Sequence, residues 1–211
     1  MKFIDLQQHM KDRPYFRFGD LSLRGRPPAH EKVQLSHWVK AGKLIRLKRG
    51  MYSLASLDGG KQPSALELAE PLYRPSYLSL EFALSHYGLL PEAAGLLTSV
   101  TTRKTARIHN PLGDFTYRHV QPDYFFGFHR RSEPVVHWMA DPEKALLDFI
   151  YLSIPKGVPL TRELFLDNYR LQNMEVLKAK RLRDMLARIK HPRIREGGRL
   201  VLSLMAHRKI P

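Results

Sequence analysis

Between Ala29 and Leu54 the apolar residues change from helical spacing to that of short strands, with a glycine at each changeover. Leu35, Trp38 and Val39 recur at helical intervals until Gly42, a residue suited to ending a helix. Leu44–Leu47 and Met51–Leu54 then form two short runs around Lys48, Arg49 and Gly50, which predicts a tight hairpin. Ahead of this, Lys2–Met10 predicts a first helix and Phe16–Leu23 a short second one, closed by Arg24-Gly25-Arg26-Pro27-Pro28. Helix, helix, turn, helix and hairpin, in that order and at those lengths, predict a winged helix-turn-helix.

Helical geometry assigns faces to the stretch Ala29–Ala41. At about 100° per residue, Leu35, Trp38, Val39 and Gly42 fall on one side, to be packed on the first two helices. His30, Val33, His37 and Lys40 fall opposite, with Ala29 and Ser36 beside them and Gln34 at the edge. A valine amid polar residues suits a helix entering a major groove, where a small apolar group meets a thymine methyl. Gln34 has the donor–acceptor pair that adenine accepts, and Lys40 can reach phosphate or guanine. An incidental surface valine is the alternative. The hairpin is basic: Lys43, Arg46, Lys48 and Arg49 suit phosphates or a minor groove, whereas an edge hairpin guarded by cations is the bland reading. Arg24 and Arg26, at the mouth of the third helix, add backbone contacts.

The charge is distributed unevenly. Residues 1–60 hold 12 basic and 5 acidic side chains, residues 61–155 hold 9 and 10, and residues 156–211 hold 14 and 5. Two basic ends flank a neutral middle, which favours polyanion partners without choosing among DNA, RNA and anionic membrane. The turn-forming run Asp58–Ser64 reads as a linker, giving a module over 1–57 and a larger domain over 65–211. Beyond it, Ala65–Tyr73 predicts a helix, and Ser79 caps another that carries Leu80, Ala83, Leu84 and Tyr87 and stops at Gly88. Strands are expected at Thr98–Thr102, Phe115–Val120, Phe125–His129 and Val135–Met139, with a turn at Asn110–Gly113. Asp141 and Pro142 open a helix with Ala145, Leu146, Phe149 and Ile150 as its stripe. The tail from Thr161 reads as mostly helical, best over Met174–Lys190. The fold class is α+β, with a winged helix-turn-helix followed by a mixed α/β C-terminal domain and a mostly helical tail.

Several chemistries lack their residues. With no cysteine among 211 residues, disulfides and thiolate metal sites are excluded. The ten histidines show no short ligand spacing, and neither a P-loop nor a Gly-x-Ser-x-Gly elbow is present. No catalytic residue, metal or cofactor is therefore expected. Asp141-Pro142-Glu143-Lys144 reads as a helix N-terminus, with Lys144 paired to Glu143 or Asp148. In the tail, Lys178, Lys180, Arg181, Arg183, Arg188, Lys190, Arg193 and Arg195 form either a solvated face or a second phosphate-binding surface for DNA or RNA. No apolar run is long enough to span a membrane, and no secretory leader opens the chain, so a cytoplasmic protein is expected.

Four stretches together, GKLIRLKRGMY from Gly42 to Tyr52, PSYLSLEFALSHYGL from Pro75 to Leu89, LGDFTYRH from Leu112 to His119 and ADPEKALLD from Ala140 to Asp148, resemble the AbiEi family of type IV toxin–antitoxin systems. The similarity spans about residues 5–152. It implies an autorepressor that binds double-stranded operator DNA, generally at inverted repeats, as a monomer in solution or a dimer on DNA. It also implies a C-terminal domain that counteracts a nucleotidyltransferase toxin without a stable complex. A stand-alone transcription factor of this fold, and an RNA-binding interaction protein using the basic tail, are the competing readings.

Overall fold

A computed structural model of the chain describes residues 2–21, 29–55, 61–91 and 95–207, and for Ala29 and His30 the backbone alone. The chain divides into two compact units, Met1–Leu68 with Ile108–Asp114, and Ala69–Arg107 with Phe115–Pro211.

The first unit opens with helix α1 (Phe3–Met10), where the Asp5 carboxylate at the third helical position accepts from the Lys2 backbone N–H at 2.9 Å. The segment expected as a second helix departs from that reading. Phe16–Arg17 is a two-residue strand, β1, and Phe18–Leu21 is a single 3-10 turn; Ser22 and Leu23 lie outside the described residues, as do Arg24 and Arg26. The reason is tertiary: Phe16 is registered opposite Tyr52, and their rings stack at 5.8 Å. Helix α2 (Ala29–Lys40) then leads into β2 (Leu44–Lys48) and β3 (Met51–Leu54), giving a sheet ordered β1-β3-β2. The core joins Leu6, Met10, Phe16, Leu35, Leu44 and Leu54, with Trp38 and Val39 packed against it. Gly42, expected on that packed side, is instead exposed. Its φ of +71° turns the chain out of α2, and nothing lies near the place of a Cβ.

A second, mixed sheet is ordered β6-β7-β5-β4-β9-β8, from β4 (Ser76–Leu78), β5 (Leu97–Thr101), β6 (Ala106–Asn110), β7 (Gly113–His119), β8 (Phe128–Arg131) and β9 (His137–Ala140). The β4–β9 and β5–β7 pairs are parallel, and the β4–β5 and β8–β9 pairs antiparallel. Helix α3 (Ala65–Leu72) precedes the sheet, and α4 (Leu80–His86) follows β4. Helix α5 (Pro142–Leu152) packs on α4, on α6 (Ala179–Arg188) and on α7 (Pro192–His207). Every residue of α5 from Glu143 to Ile150 is buried, far more than the expected stripe.

Candidate nucleic-acid interface

Helix α2 is two-faced. Leu35 is fully buried, and Trp38 meets Phe3 edge-to-face at 5.3 Å, so this side is committed to the core. On the other side Val33 is 57% exposed, and Lys32, Ser36, His37 and Lys40 surround it along a shallow groove. A valine held in water forfeits its burial free energy, roughly 1.5 kcal/mol or more. The donors beside it are those that meet base edges and phosphates. Ser36 has committed its proton to the Lys32 carbonyl at 3.0 Å, leaving its lone pairs as acceptors. Gln34 is half-buried, and its Oε1 is out of solvent with no partner among the described residues. A bidentate adenine contact needs that oxygen, so Gln34 must turn to make one. The side chains of Ala29 and His30 lie outside the description.

The hairpin beside α2 turns through Arg49 and Gly50, the latter at a φ of +75°, between Lys48 and Met51. A register shift at Leu47 breaks the alternation, which lets both Leu44 and Leu47 face inward while Arg46 stays exposed. Arg49 is exposed at the tip, and Lys48 is half-buried. Lys43 differs from its hairpin neighbours because its ammonium sits over the Phe3 ring at 4.8 Å. Lys32, which the sequence reading passed over, lies on the flank of the Val33 face with its ammonium 5.5 Å over Phe18. Its helical angle, about 100° from Val33, was the available signal. Lys32, Lys40, Arg46 and Arg49 make no ion pair among the described residues, so their charge is presented to solvent.

The polar groups of the second unit are engaged internally. Asp141 and Ser79 stand at helix starts without capping through their side chains. The Asp141 carboxylate instead meets Arg181 at 2.9 Å, His129 at 3.0 Å and Arg131 at 3.5 Å. Thr98 does the capping for α4: its Oγ1 accepts from the Phe82 N–H at 3.1 Å and donates to the Ser79 carbonyl at 2.6 Å. Ser79 Oγ donates to Asp148 at 2.8 Å, Tyr77 O–H donates to the same carboxylate at 3.0 Å, and Lys144 is paired with it. Lys144 also donates to the Tyr77 oxygen at 2.9 Å. Burial lowers the Lys144 pKa and Asp148 opposes that, while burial and then Asp148 push Tyr77 well above its ordinary value. These four residues are at most 3% exposed, so no substrate can touch them and the network is structural. Three strand histidines of this unit go to separate partners, His129 to Asp141, His119 to the Arg103 carbonyl and His137 to the Val135 carbonyl, and in the first unit His109 meets Asp114.

The basic tail is divided in the same way. Arg181 belongs to Asp141, and Arg193 donates to the carbonyls of Pro155, Lys156 and Val158. Lys178, Lys180, Arg183, Arg188, Lys190 and Arg195 are exposed. Among the described residues no helix is long and apolar enough to cross a membrane.

No curated protein matches the chain. A family model for transcriptional regulators of the AbiEi antitoxin type matches residues 8–55, which run from the second half of α1 through α2 and the hairpin. Over that N-terminal segment, the chain is similar to transcriptional regulators of the AbiEi antitoxin type.

Proposed function

We propose that the protein is a DNA-binding autorepressor and the antitoxin of a type IV toxin–antitoxin system. Residues 1–57 form a winged helix-turn-helix in which α2 enters the major groove and reads bases through Ala29, His30, Val33, Gln34, Ser36, His37 and Lys40. Arg46, Lys48 and Arg49 of the wing, with Arg24 and Arg26, hold phosphates. The protein acts by binding rather than catalysis, in the cytoplasm, and meets inverted operator repeats as a monomer that pairs on the DNA. Residues 65–211 counteract a nucleotidyltransferase toxin without a lasting complex.

The observation that carries this reading is the exposure of Val33 among unpaired cations on the side of α2 away from Leu35 and Trp38. Nuclease footprinting on the DNA upstream of the protein's own gene tests it. Protection is expected in two half-sites about one helical turn, or a multiple of it, apart. Absence of protection at concentrations that coat unrelated duplex would overturn the operator reading.

A further inference from the structure

The loop after β7 and the C-terminal end of α6 line an open cavity of about 340 Å³ within the second unit, whose Phe125 packs on Tyr77 at 5.1 Å and whose Phe126 ring lies 5.5 Å from the Lys144 ammonium. Its lining includes Tyr124, Phe125 and Phe126 on one side and Arg188 and Lys190 on the other, with Asp123 as its one acid. That size falls in the range of small-ligand clefts, roughly 300–1,000 Å³. Two features distinguish the place from an ordinary basic surface. The Arg188 guanidinium lies 4.1 Å from the centre of the Phe126 ring, so one planar group rests on another. Neither Arg188 nor Lys190 has a carboxylate partner among the described residues, although both are exposed and lie near an aromatic wall. Cations near the end of a helix satisfy its dipole, which accounts for their charge and not for the aromatic residues facing them.

We propose that this cavity is a nucleotide-binding site, in which a base stacks against the Arg188–Phe126 pair or the neighbouring tyrosine and its phosphate meets Arg188 and Lys190. Aromatic rings and guanidinium planes are the surfaces on which unpaired bases stack, and unpaired cations beside them neutralise the phosphate. A purely apolar ligand would leave both cations unused, and a simple anion would leave the rings unused. The nucleotide can be a free mononucleotide or one residue of a single strand. The site is independent of duplex reading by α2.

Equilibrium dialysis of the full chain tests this, using labelled AMP, a 5′-phosphorylated hexa-adenylate RNA and, as competitor, inorganic phosphate. Saturable binding is expected for at least one nucleotide probe, weakened about tenfold or more by R188Q with K190Q. The hairpin variant R49A should leave it unchanged. Equal affinity for AMP and the hexamer identifies a mononucleotide site; tighter hexamer binding identifies a strand. The proposal is overturned by the absence of saturable binding to either probe, by wild-type affinity in the double variant, by loss of binding in R49A, or by phosphate competing as well as AMP. Both substituted side chains are exposed, and an unchanged melting temperature verifies that the variants fold.

Discussion

Asp148 holds a buried charge in the second unit. Its buried carboxylate accepts from Tyr77 at 3.0 Å and Ser79 at 2.8 Å and is paired with Lys144, itself 1% exposed. Asp148→Ala strips Lys144 of its counter-charge in a place with no water to replace it, a loss of about 3–5 kcal/mol. Lys144→Met costs less, about 2–3 kcal/mol, because two hydroxyl donors still serve the carboxylate. Replacing both, as Lys144→Met with Asp148→Leu, returns stability to within about 2 kcal/mol of wild type, since no buried charge remains. Without Asp148, only burial acts strongly on Lys144, and it lowers the folded-state pKa below the unfolded one. The penalty is therefore full below the lowered folded-state value and diminishes as pH rises from there toward the unfolded value of 10.5. Urea unfolding followed by fluorescence in a Trp38→Phe background measures this, because Trp138 then reports on the second unit alone. A loss under about 1 kcal/mol for Asp148→Ala, or a larger loss for Lys144→Met, would refute the assignment of the buried charge.

Two smaller predictions follow from packing and titration. Gly197→Ala places a Cβ 2.8 Å from Cγ2 of fully buried Ile150. Overpacking of about 1–3 kcal/mol outweighs about 1 kcal/mol of helix propensity, so the melting temperature should fall by about 2–4 °C; a rise would mean that α5 yields at this point. Burial of His86, reinforced by His137 and Arg131, holds its pKa below 6.5. The unfolded chain therefore takes up that proton first, and the associated stability, intact above 6.5, is lost as pH falls toward the lower folded value. His86→Gln should shrink the drop in urea midpoint between pH 7.5 and 5.5, and an unchanged drop would show that the ring contributes nothing.

What could be read in advance was what local spacing controls. α2 and the hairpin were legible because Leu35, Trp38 and Val39 repeat at helical intervals and Gly42 and Gly50 sit where the backbone needs positive φ. β1 was not, because two residues carry no period and Phe16 is extended only through its pairing with Tyr52. β4 was hidden for a similar reason: Ser76, Tyr77 and Leu78 are all buried, so no alternation marks them. Helix α7 lies in the tail expected to be mostly helical but outside its best stretch, because Gly197 and Gly198 weaken a helical reading; close packing on Ile150 and Leu186 gives both glycines their reason. Ser79 and Asp141 looked like caps, and only the folded chain reveals that their side chains serve Asp148 and, for Asp141, two arginines and a histidine. Within the candidate interface the outward turn of Val33 followed from helical angle. The half-burial of Gln34 and the diversion of Lys43 onto Phe3 depend on neighbours distant in sequence.

DNA binding through the Val33 flank of α2 is tested most directly by paired substitutions measured on two duplexes. Val33→Asp sets a carboxylate against base edges and should weaken binding to the footprinted site by at least tenfold while leaving unrelated duplex much less affected. Arg49→Ala should weaken both duplexes alike, and the slope of log affinity against log salt, about −5 for six phosphate contacts, should become shallower by about 1. If both variants bind both duplexes as the wild type does, with the same salt slope, α2 and its hairpin are not the DNA-binding surface.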